Sequence, residues 1–307
     1  MNSLQNLEDK RKVLVLLDAH AILHRSFHAL PHFTSPSGEP TGAVYGFTAV
    51  LLKIIRELKP DYLAACYDLP EQTFRHLVYK EYKIQRPKMA DELVGQIEKS
   101  REVLNAFKIP IYEFSGFEAD DVLGTIVEKT KDEKNLKVII ASGDLDILQL
   151  VKNDKAVVYF LSKGIKETVF YNEEAVKQRY GFNPELLPDF KGLKGDPSDN
   201  IVGIPGIGEK TASDLIRKFG SLENVYKRLE KDESELLAAG IKIRAVQLLK
   251  ENKEKALFSR DLAKIRRDAP ICFVLADTAW RKAYDSQKVI FLLEKFGFKS
   301  LIPRLPS

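Results

Sequence analysis

Nine acidic residues recur in short clusters along the chain, and they carry its clearest chemistry. Asp18 ends the apolar run VLVLLD, and Asp68 ends YLAACYD. Glu118, Asp120 and Asp121 come from EADD, at the start of a helix-like stretch. Asp144 and Asp146 close KVIIASGDLD, and Asp196 and Asp199 come from GDPSDN. That much negative charge at one point calls for a cation. Hard oxygen ligands in this number suit Mg²⁺ or Mn²⁺ better than Zn²⁺. Two adjacent ions of this kind form an apparatus for cutting phosphodiesters. Each cluster alone also has a structural reading. Acids suit the first turn of a helix, and Asp18 could cap the helix that follows it. Repetition after several strand ends favours a joint metal site. Asp121 and Asp199 also fit a supporting role, orienting metal-bound water.

Such a site needs elements that bring distant acids together. The first two-thirds of the chain alternate strand and helix signals, which implies a parallel α/β sheet. Strands are expected at 13–17, 62–67, 109–114 and 138–142. The runs 157–161 and 168–171 straddle a Lys-Gly turn and predict a hairpin. Thr41 is the expected N-cap of a helix ending before Pro60, and helices are expected over 92–107 and about 119–131. Ligands in such sheets bind beyond the carboxyl ends of the strands, where Asp18, Asp68 and Asp144/Asp146 lie. From about Tyr171 the pattern changes to helices with short loops. EEAVKQRYG, LEKDESELLAAGI and RAVQLLKENKEKALFSRDLAKI all read as helical, and VIFLLEKFGF is expected to pack back on the first unit. The expected division is 1–171, 172–285 and 286–307.

GIPGIGEKTASDLI (203–216) is the second informative stretch. Gly203, Gly206 and Gly208 surround a tight turn that leads into a helix. Free backbone N–H groups there can hold a phosphate oxygen, and Lys210 adds a charge. Contact to backbone phosphate predicts no sequence preference. The bland alternative is a Gly-rich turn with no ligand. Between Glu71 and Lys88, the cations Arg75, Lys80, Lys83, Arg86 and Lys88 outnumber Glu71 and Glu81. Phe74, Tyr79 and Tyr82 are interleaved with them, as in single-strand binders. A solvated helix face is the alternative. A second basic stretch holds Lys242, Arg244, Lys250, Lys253 and Lys255. His20, His24, His28 and His32 share helical spacing, but without Cys partners or HExxH they do not read as a zinc site. No nucleophile elbow, Walker A sequence or dinucleotide fingerprint is present.

Composition agrees with this reading. The chain has 307 residues, 44% hydrophobic and 30% charged, with a net charge of +4. That is room for one large or two ordinary domains. No apolar run approaches the roughly 20 residues that span a bilayer. Two cysteines, Cys66 and Cys272, make no disulfide framework, and Cys66 reads as a buried reduced thiol. The expected compartment is the cytoplasm, in association with the nucleoid.

The motifs together resemble the bacterial 5′-nuclease family, typified by the 5′→3′ exonuclease domains at the N-termini of polymerases of the DNA polymerase I type. The resemblance runs from about Val13 to the C-terminus. It rests on LHRSFHAL, GEPTGAVYGF, TFRHLVYKEYKIQRPKM, GFEADDVLGT, SGDLDILQLV, GDPSDNIVGIPGIGEKTA and LLEKFGFKSL, in the family's order. It implies a PIN-like α/β domain followed by a helix–three-turn–helix domain. It implies Asp18, Asp68, Glu118 and Asp120 around a first Mg²⁺ (or Mn²⁺), and Asp144, Asp146 and Asp196 around a second. Asp121 and Asp199 would support them. The segment 73–89 resembles the family's helical arch, under which a single-stranded 5′ end passes. Lys83 and Arg86 match its cations that position the scissile phosphate. Arg25, Arg75 and Tyr82 would also face DNA. GIPGIGEKTA, with Gly206, Gly208, Lys210 and Thr211, resembles the hairpin that grips duplex DNA, often through a bound K⁺.

Three positions depart from the family pattern. Ala19 replaces the glycine after the first aspartate, Leu145 replaces a lysine between the paired aspartates, and Val202 replaces a proline. None removes a carboxylate. The resemblance implies a structure-selective 5′→3′ exonuclease and 5′-flap endonuclease acting on flapped or nicked DNA and on RNA primers, in replication and repair. A DNA polymerase would be its partner, covalent or separate. The competing readings are a non-catalytic DNA-binding module and a PIN-like ribonuclease.

Overall fold

Short continuous apolar runs build the sheet, because strands covered on both faces need no alternation. The structure is a computed structural model that describes residues 11–30, 33–163 and 167–306. Its strands are β1 (Lys12–Asp18), β2 (Tyr62–Cys66), β3 (Ile111–Tyr112), β4 (Leu136–Ser142), β5 (Ala156–Lys163) and β6 (Glu167–Tyr171). They lie in the order β3-β2-β1-β4-β5-β6. The first five are parallel, and β5–β6 is the antiparallel pair expected from the sequence. The 109–114 strand is shorter than expected; only Ile111 and Tyr112 pair, at the sheet edge after Pro110. The direction of winding reverses between β1 and β4, which opens a crevice beyond their carboxyl ends.

Successive residues of β1 enter two different cores. Val15 and Leu17 pack with α1 (Ala19–Ala29), α2 (Gly42–Leu58) and, beyond the short α3 (Phe74–Val78), with α4 (Asp91–Ala106). Leu14 and Leu16 pack on the other face with α5 (Ala119–Lys129). That second core continues through α6 (Glu173–Tyr180), α7 (Leu187–Lys194), α8 (Glu209–Phe219), α9 (Leu222–Lys231), α10 (Ser234–Ala238), α11 (Ile243–Glu251) and α12 (Lys253–Ala263). Finally α13 (Ser286–Lys295) returns to the first core through Val289 and Leu293, as its sequence suggested.

Some local expectations are corrected. Thr41 occupies the N-cap position, yet its hydroxyl makes no cap bond. Gln96 of α4 does the capping from outside, its Oε1 accepting from Ala43 N at 2.8 Å and Val44 N at 3.3 Å. Both long helical stretches are broken. Asp232 accepts from Ser234 N at 2.9 Å, and this local turn stops α9. Asn252 separates α11 from α12. Cys66 is a buried free thiol, and Cys272 is exposed. Among the described residues no helix is long and apolar enough to cross a membrane.

Candidate metal centre and nucleic-acid interface

The strand ends and two helix starts deliver carboxylates to one cleft of about 850 Å³. Asp18, Asp68, Glu118, Asp120, Asp144, Asp146 and Asp199 line it, with Arg25, Lys83 and Arg86. Asp18 ends β1 and also caps α1, accepting from Ala21 N at 3.1 Å. The capping and metal readings of this residue are therefore not exclusive. Its second oxygen accepts from Ser142 Oγ at 2.6 Å, at the end of β4. Ser142 Oγ in turn accepts from Asp144 N at 2.9 Å. Asp68 lies two residues beyond β2 and accepts from Ala119 N, in the first turn of α5, at 2.7 Å. His20 Nδ1 accepts from Asp68 N at 3.0 Å, which fixes the turn that carries the carboxylate.

Two halves of this cluster differ in electrostatics. Burial pushes the Asp18 carboxyl up to about 7, with Asp68 and Asp144 adding to the rise against the Ser142 and Ala21 hydrogen bonds. Burial and the charges of Asp18, Asp144, Asp68 and Glu118 push Asp120 well above the usual carboxylate range. Among the described residues, no lysine or arginine ion pair relieves Asp18, Asp120 or Asp144. The other half is countered. Lys191 of α7 bridges Asp146 and Asp196, at 2.5 Å from Asp196 Oδ2. Burial alone would raise Asp196, but Lys191 and Ser198 outweigh it and hold the group below its ordinary value. Asp146 is raised by burial to about 6 even with Lys191 beside it. Oxygens of Asp146, Asp196 and Asp199 all lie within 4.8 Å of one another.

This donor set fits divalent cations. It is all oxygen, burial raises its Asp18 and Asp120 carboxyls above the usual range, and it includes three carboxylates that can reach one ion. Asp144 lies between the halves: its charge raises both Asp120 and Asp146, and its Oδ1 accepts from Asp146 N at 2.9 Å, while oxygens of Asp199 come within reach of those of Asp146 and Asp196. Glu118 sits between the halves and the basic segment, and the cations of that segment hold it down against burial.

Three sequence expectations change role. Asp121 is fully buried, and its carboxylate already accepts from Arg75, from Glu118 N at 3.1 Å and from Arg266 N at 2.8 Å. Both its oxygens are thus engaged, which fits the supporting role the sequence suggested better than that of a direct ligand. Arg75, expected at DNA, is equally buried. It grips Asp121 at 2.7 and 2.9 Å and donates to the carbonyls of Leu262 and Lys264. Tyr82 is 3% exposed and offers no stacking face. Its hydroxyl lies 3.2 Å from Glu118 Oε2 and 3.1 Å from Asp199 Oδ2.

The other expected DNA contacts remain at the surface. Lys83 Nζ reaches Glu118 at 2.7 Å, and Arg86 pairs with Asp199. Lys83 adopts φ 55°, held there as its N–H donates to Asp199 O at 3.0 Å. Arg25 lines the cleft, but its guanidinium is tied to Ser162 O at 2.8 Å and Gly143 O at 2.7 Å. His24 and His28 line the outer wall with Met89, and His32 lies outside the described residues. In the hairpin, Gly206 takes φ 94°, Gly208 caps α8, Lys210 is exposed and Thr211 is half-buried. Leu145 packs against the second core, and Val202 is exposed. Sequence reasoning missed Lys191 and Ser142. Lys191 stands five positions before Asp196, which lies past the end of α7, so no i,i+3 or i,i+4 spacing marked the pair.

A parallel sheet that gathers carboxylates beyond its switch point, continued by a helical unit, defines a resolvase-like α/β protein with an acidic cleft. Family models match both parts: the N-terminal resolvase-like domain of 5′-3′ exonucleases over residues 13–181, and their C-terminal SAM fold over 182–286. DNA polymerase I of Bacillus caldotenax is 41% identical over 97% of this chain, and that of Bacillus subtilis 39% over 96%. The match covers 33% and 32% of those proteins, so the chain spans about a third of their length. The chain belongs to the 5′-3′ exonuclease family. Among solved structures, T5 5′-exonuclease with bound zinc ions superposes with a TM-score of 0.68 at 20% identity, covering 92% of this chain and 99% of that one. The catalytic core of Rad2 in complex with DNA gives 0.56 at 14% identity, covering 98% and 96%. These likenesses show the fold.

Proposed function

We propose that this chain is a structure-selective 5′ nuclease that hydrolyses DNA phosphodiesters at 5′ flaps and 5′ ends, using Mg²⁺ or Mn²⁺. The observation that carries the reading is the cleft in which Lys83 and Arg86 face the two carboxylate halves. Asp18, Asp68, Asp120 and Asp144 would hold one ion, and Asp146, Asp196 and Asp199 the other. The ions would supply Lewis acidity to the phosphate and to an attacking water. Water adds to phosphorus, the P–O3′ bond breaks, and the strands end in a 5′-phosphate and a 3′-hydroxyl. Lys83 and Arg86 would leave Glu118 and Asp199 to bind the non-bridging oxygens. Glu118 and Asp199 would keep these cations poised when no phosphate is bound. The hairpin at Gly206–Lys210 would grip duplex, with K⁺ as an aid. The matched stretch is about a third of relatives named DNA polymerase I, which supports a polymerase module as a partner; an RNA primer would be a further substrate. Neighbours described with DNA, including human GEN1 with Holliday junction DNA, support a nucleic-acid substrate.

A cleavage assay with Mg²⁺ tests this, comparing a 5′-flap DNA, a blunt duplex and single-stranded RNA. Preferred cutting of the flap is expected. Binding without cutting would leave a DNA-binding module, and preferred cutting of the RNA would leave a PIN-like ribonuclease.

A further inference from the structure

Lys191 is a cation inside the carboxylate cluster that the proposed two-ion reading does not use. It projects from α7, its side chain is 13% exposed, and its ammonium lies between Asp146 and Asp196. Those two carboxylates belong to the trio whose oxygens lie within 4.8 Å of one another. An ammonium and a divalent ion held by the same two carboxylates repel strongly, since both are cations in a space poor in water. The opposite half of the cluster has no such internal cation among the described residues. Lysine has a flexible four-carbon stem, so it can withdraw without moving its helix.

We propose that Lys191 is a built-in counter-ion of the Asp146/Asp196/Asp199 position, which a divalent ion must displace to enter. The two halves then fill in order. The first ion enters among Asp18, Asp68, Asp120 and Asp144, where it displaces only protons and no paired lysine or arginine stands in its way among the described residues. The second binds more weakly, because it competes with a tethered cation. Lys191 thereby sets the metal concentration at which the site becomes complete. This inference rests on the reading that these carboxylates hold divalent ions.

The test is a Mn²⁺ titration of the full chain, with free ion followed by electron paramagnetic resonance, for wild type, Lys191→Met and Lys191→Arg. Wild type is expected to show a tighter and a weaker class. Lys191→Met should tighten the weaker class by about tenfold or more and leave the tighter one unchanged, as removal of a competing charge requires. Lys191→Arg, which keeps the charge, should stay near wild type. In EDTA the methionine variant should melt below wild type, and Mn²⁺ should close that gap. Weaker-class affinity that is unchanged or reduced in a folded Lys191→Met protein would overturn the inference while leaving the metal reading intact. Absence of any Mn²⁺ binding by wild type would overturn the metal reading itself. If Lys191→Met does not fold, Lys191→Gln, which keeps a donor without the charge, decides on the same criteria.

Discussion

Lys83 Nζ lies 2.7 Å from Glu118 Oε1, a bond between residues 35 positions apart that ties the basic segment to the start of α5. Arg86 makes the equivalent tie to Asp199, and Tyr82 between them touches both carboxylates. The cations proposed to meet the substrate phosphate are thus stored on carboxylates at the rim of the acidic cleft. A phosphate that takes them over also frees those carboxylates. On the proposed function, substrate binding would thus exchange these ion pairs for contacts to phosphate.

Lys83→Ala and Arg86→Ala should therefore slow flap cleavage much more than they weaken binding to plain duplex. The comparison is single-turnover cleavage of a flap against duplex affinity at the same salt. Equal losses in the two would make these residues general phosphate contacts, with no special place at the scissile bond.

Asp68→Asn and Asp120→Asn should nearly abolish cleavage. Each removes a charge from a hard-cation site, and a loss of about 4 kcal/mol in transition-state stabilisation is about a thousandfold in rate. The variants should stay folded, and Asp120→Asn should melt higher than wild type in EDTA. Burial and like charges oppose ionisation of this carboxyl, so an amide relieves the metal-free state. Turnover near wild type at saturating Mg²⁺ would remove the substituted carboxylate from the site.

The positions of the acids were readable because each follows an apolar strand or opens a helix, and parallel sheets put those points on one rim. Their partners were not readable. Arg75 and Tyr82 sit in a segment whose composition suggests a nucleic-acid surface, yet both side chains turn inward. Asp121 explains Arg75: α5 buries that carboxylate, and a buried carboxylate draws a guanidinium from elsewhere in the chain. Nothing local in 73–89 encodes that demand. Gln96 capping α2 in place of Thr41 is another long-range choice of the same kind. Lys191 was hidden because its carboxylates, Asp146 and Asp196, come from different units of the fold.

The buried pair yields its own prediction. Arg75→Ala should destabilise the protein by roughly 3–5 kcal/mol, since it leaves the Asp121 charge uncompensated in the interior. Three carbonyl and carboxylate partners from 121, 262 and 264 would lose their donor together. Urea unfolding of wild type and variant measures this. Unchanged stability with weakened DNA binding would restore Arg75 to the interface.

Metal and pH should be linked. Asp18 in the folded chain keeps its proton up to about pH 7, against an ordinary value of 3.8. Its raised value contributes stability that is present below the unfolded value and is lost as pH rises through about 4 to 7. Asp120 acts in the same direction. Asp146 and Asp189, raised to about 6, add to it, whereas His20 and His24, lowered by burial, oppose it within this window; Glu118 and Asp196 oppose it only below the ordinary carboxylate range. Metal-free protein should thus melt lower at about pH 8 than at about pH 5.5. Mg²⁺ should raise the melting temperature more at the higher pH, because fewer protons must leave. Differential scanning fluorimetry across pH in EDTA and in Mg²⁺ checks both signs. An equal Mg²⁺ effect at the two pH values would separate Asp18 and Asp120 from the ion.

The hairpin gives the last prediction, and its glycines differ in how much a side chain would disturb them. Gly208 has φ −90°, which any residue adopts, and a Cβ built there meets nothing within 4 Å. Gly203 is different: a Cβ there would collide with the backbone at Gly195, so a substitution would wedge two loops apart. Gly206 is intermediate, with φ 94° and Leu248 at 3.0 Å. Gly208→Asp therefore adds a negative charge at the start of α8 without a steric penalty. An aspartate at an N-cap even favours the helix, so stability should hold or rise slightly. Weaker binding can then be assigned to charge at a phosphate cradle. The expected result is lower duplex affinity and a raised KM, with kcat less affected, as when uniform binding is lost. The log–log salt slope should become shallower by about 0.9 for each phosphate that the variant no longer neutralises. Duplex affinity of both proteins across a salt series, with circular dichroism as the folding control, provides the measurement. Unchanged affinity and slope in a folded Gly208→Asp protein would make the hairpin structural alone. The duplex grip would then pass to the exposed cations Lys242, Arg244 and Lys255 around α11 and α12, since Lys250 and Lys253 are already paired with Glu233 and Glu230.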